Sequence, residues 1–197
     1  MKDVKDVKDV KDVNDVKHLS WDELAAGLAD IQNSPRDEGA LQLIVRRPAL
    51  EQREILMEGQ LERAVGLVGD SWIRRGSSRT PDGLPHPDMQ LNIINARVIA
   101  LLALRKDRWP LAGDQLYIDL DLSGDNLPAG TRLALGSAVI EVTSQPHTGC
   151  SKFAEHFGPQ ATRFVNSPDG KALRLRGVNA KVVQPGTIRV GDLARKL

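Results

Sequence analysis

Residues 130–143 read Gly-Thr-Arg-Leu-Ala-Leu-Gly-Ser-Ala-Val-Ile-Glu-Val-Thr. Two short runs of strand-forming residues, Arg132 to Leu135 and Ala138 to Thr143, lie on either side of Gly136. Such spacing predicts neighbouring strands. Working outward, Leu116, Ile118, Leu120 and Leu122 alternate through residues 115–122, the pattern of a half-buried strand. Leu41 to Val45 reads as another strand, and Met89 to Leu104 as a strand that continues into a helix. Downstream, Leu173 and Leu175 suggest a strand and Val178 to Val183 a further one. The turn at Pro185-Gly186 then predicts a hairpin completed by Thr187 to Val190. Many short strands separated by Gly/Pro turns point to a β-barrel or sandwich with peripheral helices.

The N-terminal region has a different character. Residues 1–17 repeat Lys-Asp-Val, with Asn14 replacing lysine once. Valine at every third position drifts around a helix of period 3.6 and builds no apolar stripe, so these residues read as a low-complexity, flexible tail. Residues 18–40 read as a helical extension. Ser20 and Glu23 form a capping box ahead of Leu24, Leu28 and Ile31, and Asn33, Ser34 and Pro35 end the helix. Residues 49–66 are too mixed to assign, and 71–87 read as loop.

The 197-residue chain is long enough for one domain with a sizeable core. A net charge of +1 gives no electrostatic reason to expect nucleic acid or an anionic membrane. The longest apolar run, Val98 to Leu104, is far short of the roughly 20 residues that span a bilayer. With one cysteine and no secretory leader in its sequence, the chain is expected to be cytoplasmic.

That cysteine, Cys150, stands in Gln-Pro-His-Thr-Gly-Cys-Ser-Lys-Phe, residues 145–153, where a turn meets a predicted helix from Ser151 to Phe157. Gly158-Pro159 should stop this helix, and Pro159 open a second one. A helix N-terminus favours a thiolate, and a thiolate is a soft metal ligand. The alternative is a small buried packing residue. His147 and His156 flank Cys150, but a structural zinc needs four ligands and no second cysteine exists. A cysteine–histidine nucleophilic pair is a further possibility. Arg74, Arg75 and Arg79 lie in a Gly/Ser loop and suit a phosphate or plain solvation; Lys171, Arg174 and Arg176 carry the same ambiguity. No nucleotide-binding glycine motif is present.

The order of landmarks resembles the MOSC domain, found at the C-terminus of molybdenum cofactor sulfurases and in stand-alone proteins. The likeness runs over residues 41–197. It begins at Gly66-Leu-Val-Gly-Asp70 and continues through Asn92 to Leu102. Leu122-Ser-Gly-Asp-Asn-Leu127 resembles the family's Gly-Glu-Asn-Leu element, with Asp125 where glutamate is usual. The 130–143 hairpin, Cys150 and the closing stretch Arg176 to Asp192 complete the likeness.

The resemblance implies a mainly β fold, a MOSC-like β-barrel with peripheral helices, and it implies the molybdenum cofactor (molybdopterin). Cys150 would then be the molybdenum ligand and His147 a nearby proton donor. Thr148, Gly149 and Ser151 would contact the metal's oxo groups or the pterin, and Arg176, Arg74, Arg75 and Arg79 the pterin phosphate. Two activities follow: a reductase of N-hydroxylated small molecules, or a carrier of cofactor or persulfide sulfur without turnover. A reductase would need an electron-donor partner, because no flavin or iron–sulfur motif is present; a carrier would meet a cofactor-biosynthesis protein. The residues before Cys150, Pro146-His-Thr-Gly149, differ from the Arg-x-Pro-Cys of larger members. The pyridoxal-phosphate domain of sulfurases has no counterpart here, nor does the N-terminal barrel of the amidoxime-reducing members.

Overall fold

The computed structural model describes residues 5–6 and 17–197. Lys5–Asp6 form a two-residue strand, β1, antiparallel to Glu54 and Ile55. The remainder of the repeat up to residue 16, expected as a free tail, lies outside the described residues. The Ser20 box forms as the sequence predicts. The Ser20 hydroxyl accepts the Glu23 N–H, and the Glu23 carboxylate accepts the Ser20 N–H, starting α1 (Trp21–Ala26). A break at Gly27 separates α1 from α2 (Leu28–Gln32).

Strand β2 (Glu38–Arg46) is followed by β3 (Glu54–Leu56), β4 (Glu58–Glu62) and β5 (Gly66–Leu67), so the mixed stretch after residue 49 is mostly strand. Strand β6 (Leu91–Asn95) passes into α3 (Ala96–Ala103), because Asn95 turns its side-chain oxygen to the Arg97 and Val98 N–H groups as an N-cap. Then come β7 (Leu116–Ile118), the hairpin β8 (Arg132–Leu135) and β9 (Ala138–Val142), α4 (Ser151–Asn166) and α5 (Pro168–Ala172). Strands β10 (Val178–Gln184), β11 (Gly186–Arg189) and β12 (Leu193–Lys196) close the chain.

Seven strands form a closed barrel in the order β2-β12-β8-β9-β10-β6-β7, and β7 returns to β2. Only β6 and β7 run parallel, with α3 in the crossover between them. Strands β11, β4 and β5 make a small second sheet. One apolar cluster, including Leu41, Ile93, Leu116, Ile118, Leu133 and Ile140, is contributed by the barrel strands. A second cluster joins the opposite face of β2, β6 and β7, through Val45, Ile94 and Tyr117, to Ile99, Phe153 and Phe157 of the helices.

Three sequence expectations are corrected. The 115–122 strand is regular only over β7 and is buried on both faces, since helices cover the outer side. Tyr117 packs there against Trp109 and donates to its carbonyl at 2.9 Å. Leu173 and Leu175 form no strand. The Ser167 cap starts α5, and the Leu173 and Leu175 N–H groups bond back to Asp169 and Gly170, which uses the donors a strand would need. The residues from Gly186 onward do not pair with β10, because β9 and β6 already occupy both its edges. They cross to β4, with Gly186 opposite Leu61 and Arg189 opposite Glu58.

The break at Gly158-Pro159 is present. Gly158 leaves helical geometry at φ 89°, ψ 161°, and the two halves of α4 meet there. A Cβ at this position would stand 2.8 Å from the His18 ring, so the N-terminal extension is packed onto the bend. Gly158→Ala should therefore cost on the order of 1–3 kcal/mol, read from the shift in the urea midpoint. An unchanged midpoint would show that neither the positive φ nor the His18 contact is required.

Candidate functional site

Cys150 is exposed, which removes the reading of it as a small packing residue. It occupies the N-cap position of α4 in extended geometry, but its side chain caps no backbone N–H. The residue lines a cleft of about 820 Å³, walled by the Arg47–Arg53 segment, the Ser71–Arg75 turn, the 111–113 turn and the first half of α4. The lining is rich in cations: Arg47, Arg53, Arg74, Arg75 and Arg176, with Lys152 beside Cys150 and Glu51 and Glu155 as the carboxylates.

Two of these arginines are buried and fixed. Arg47 leaves the end of β2 and reaches Asp70 through Nε at 2.9 Å and Nη2 at 3.0 Å. Its Nη1 donates to the Gly113 carbonyl at 2.7 Å and to Asn92 at 2.9 Å. Asp70 also accepts the Arg47 and Trp72 backbone N–H groups, each at 2.9 Å. Arg176 places Nη1 on both oxygens of Asp114, at 3.0 and 2.7 Å, and Nη2 on the Ala112 carbonyl at 2.9 Å. Its guanidinium lies over the Phe153 ring, 4.8 Å from the centroid. The Nε of Arg176 is buried without a partner, as is Nδ1 of His147.

A buried amide relay carries this order to the cysteine loop. Asn92 donates to Asn179 at 2.7 Å, and Asn179 donates to the Gln145 carbonyl at 3.0 Å. Past Thr148, the Asn166 side chain accepts the Gly149 N–H at 3.0 Å and donates to its carbonyl at 3.1 Å. The loop before Cys150 is thus held at both ends.

Burial sets the charge states. Desolvation alone would raise the pKa of Asp70, but the hydrogen bonds and charge of Arg47 outweigh it and leave the carboxyl below its ordinary value. For Asp114 burial wins, and its pKa is raised although Arg176 opposes the change. Burial, then the charges of Arg176, Arg47 and Arg79, push His147 well below its ordinary pKa. Its ring is therefore neutral near neutral pH. The 3.6 Å approach of His147 Nδ1 to Asp114 is not an ion pair, and the ring has no cationic proton to donate.

The structure separates the residues singled out from sequence. Cys150, His147, Arg74, Arg75 and Arg176 share the cleft. Arg79 does not line it; its Nη1 meets the Pro146 carbonyl at 3.4 Å. Thr148 lines a neighbouring cavity, and Ser151 is exposed at the start of α4 outside the cleft lining. The Gly149 N–H, expected as a ligand donor, is taken by Asn166. Sequence reasoning missed Arg47, Arg53, Asp70 and Asp114 as site residues. The usable signals were the Arg46-Arg47-Pro48 doublet ending an apolar strand and the Asp70 that closes the glycine turn. Among the described residues, no three His, Cys, Asp or Glu side chains gather as a metal site. No helix among them is long and apolar enough to cross a membrane.

A model of the MOSC domain matches residues 86–195. The chain belongs to the MOSC domain family. The match includes Asp114, His147, Cys150 and Arg176. Arg47, Asp70, Arg74 and Arg75 precede it in the chain, yet they complete the same cleft. No curated protein matches the sequence.

Solved structures share the fold. The YUAD protein from Bacillus subtilis is 15% identical with a TM-score of 0.55, over 80% of this chain and 94% of that one. YiiM from Escherichia coli is 22% identical with a TM-score of 0.51, over 80% of this chain and 69% of that one. YiiM from Geobacillus stearothermophilus is 16% identical with a TM-score of 0.51, over 83% and 74%.

Two outcomes follow for the MOSC cleft. Asp70→Asn removes the countercharge of buried Arg47 and should lower folding stability by about 3–5 kcal/mol, measured by denaturant unfolding; a loss under 1 kcal/mol would mean that water replaces the pair. Above its ordinary pKa of 6.5, His147 is neutral both folded and unfolded. Below that value the unfolded chain takes up a proton that the folded chain refuses, so stability falls as pH drops through 6.5. His147→Gln should make this fall shallower, although His156, shifted in the same direction, keeps part of it. An identical pH profile would place the His147 ring in water.

Proposed function

We propose that this MOSC protein binds the molybdenum cofactor, with Cys150 as the thiolate ligand of the metal, and that it reduces N-hydroxylated small molecules. The observation that carries the reading is the donor set: an exposed soft ligand, Cys150, in a cleft that also contains the two fixed guanidiniums of Arg47 and Arg176. Thiolate suits a soft metal, and guanidinium pairs suit the phosphate of an anionic cofactor.

When bound, the cofactor would supply the two-electron chemistry that removes oxygen from the substrate. The chain's own residues bind and orient. Asp70 and Asp114 keep Arg47 and Arg176 in place before any ligand arrives, so less ordering cost falls on binding. Arg74 and Arg75 extend the positive lining along the Ser71–Arg75 wall. His147 contributes a neutral imidazole, which orients a ligand by hydrogen bonding. Protons for the reduction then enter from solvent. The electrons come from a partner reductase.

The exposure of Cys150 also suits a second reading, in which the thiol carries cofactor or persulfide sulfur to a biosynthetic partner. Molybdenum measured by elemental analysis, on protein from a cofactor-producing host, tests the first. Wild type should retain the metal, and Cys150→Ser should lose at least tenfold while its melting temperature stays the same. Equal metal in both would remove Cys150 as the ligand. Metal in neither, with cofactor supply verified, would move the assignment to the persulfide carrier.

A further inference from the structure

Behind the wall formed by His147 and Arg176 lies a second cavity of about 450 Å³, between residues 143–148 and 170–178. Its lining contains Lys171, Arg174 and Arg176 and the hydroxyls of Ser144 and Thr148, and not one carboxylate. The cations are poorly compensated. Among the described residues neither Lys171 nor Arg174 forms an ion pair; Arg174 has one hydrogen bond, from Nη1 to the Leu127 carbonyl at 2.6 Å. Arg174 is nonetheless partly buried, and burial lowers its pKa with no acidic group opposing the shift. Asp121 and Asp125 share a neighbouring pocket with these cations, but Asp121 is paired with Arg36.

The wall itself is incompletely satisfied. The Arg176 side chain is 7% exposed, and its two terminal nitrogens are spent on Asp114 and Ala112. Its Nε and the His147 Nδ1 have no partner, and both residues line the second cavity as well as the cleft. A buried donor without an acceptor is unfavourable, as Arg176 Nε is here, and so is the partly buried Arg174 without an ion-pair partner. An anion in this cavity would offset both.

We infer that the second cavity is a phosphate-binding site, in which Lys171, Arg174 and the Arg176 Nε hold a phosphate monoester or inorganic phosphate. Ser144 and Thr148 add hydroxyl donors. Guanidinium and ammonium groups with hydroxyls and no carboxylate are the set that selects a dianion over a neutral or cationic ligand. The inference does not depend on the assignment of Cys150, because none of its residues needs the thiolate.

The test is a residue-resolved NMR titration of inorganic phosphate into the full chain, purified from a host unable to make the cofactor. The Gly170 and Gly177 amide signals should shift and saturate. Arg174→Gln and Lys171→Gln should each raise the half-saturating concentration about tenfold, as expected for loss of one charged hydrogen bond. Using both variants guards against either one failing to fold. Shifts confined to Gly113 and Phe153 of the cleft would overturn the inference, as would half-saturation unchanged in both variants.

Repeating the titration on cofactor-loaded protein distinguishes the source of the phosphate. Continued uptake identifies a separate ligand. Lost uptake, together with reduced pterin retention in Arg174→Gln, identifies the cofactor's own phosphate. Either result keeps the site.

Discussion

The closure of the barrel between β2 and β7 is the constraint from which the cleft follows. Leu41, Leu43 and Ile44 pair with Ile118, Tyr117 and Leu116, and the Val45 N–H reaches the Gln115 carbonyl at 2.8 Å. Followed two residues further, the same register sets Arg47 against the Gly113 carbonyl. It also brings the Asp114 turn beside Arg176, at the entrance to β10. Apolar pairing along two strands thus delivers two cations and a buried carboxylate to one end of the barrel. No local preference in the Arg47, Asp114 or Arg176 segments would bring them together.

Placing charges there is costly, and the structure shows how the cost is met. Arg47 and Arg176 each contact both oxygens of a carboxylate, and each also donates to a backbone carbonyl. Such pairs seldom add net stability over apolar packing. Their value lies in holding a guanidinium at a fixed orientation inside a cleft. The balance differs between the two. Asp70 accepts several donors, so its ionised form is favoured. Asp114 is more deeply buried and accepts hydrogen bonds from Arg176 alone, so burial prevails over the nearby arginine charges and its pKa rises. His147, next to Asp114 and close to cations, is kept neutral by the same burial.

The elements legible in the sequence were those whose cause is local. The Ser20 box, the passage from strand to helix within residues 89–104, the 130–143 hairpin and the break at Gly158 each arise from residues a few positions apart. The misread elements depended on distant partners. Thr187 to Val190 had hairpin chemistry beside it, but β10 had no open edge. Leu173 and Leu175 have strand-like spacing, yet the Ser167 cap committed the preceding residues to a helix. The site followed the same rule. Cys150 stood out because it is unique and precedes a helix, whereas Asp70 and Asp114 gain their meaning from arginines 23 and 62 positions away.

This division bears on how a reactive loop can sit on a rigid fold. The loop before Cys150 carries a proline and a glycine and has little secondary structure of its own, yet its backbone is held by Asn179 at Gln145 and by Asn166 at Gly149. Both amides stand on regular elements, β10 and α4. The Asn92–Asn179 bond links the start of this loop, at Gln145, to Arg47, while the separate Asn166 pair holds its end at Gly149. In a low-dielectric interior every member of such a network must be satisfied or the whole is unfavourable. Among the described residues, the buried side-chain atoms left without a partner are Arg176 Nε and His147 Nδ1, both on residues that line the two cavities.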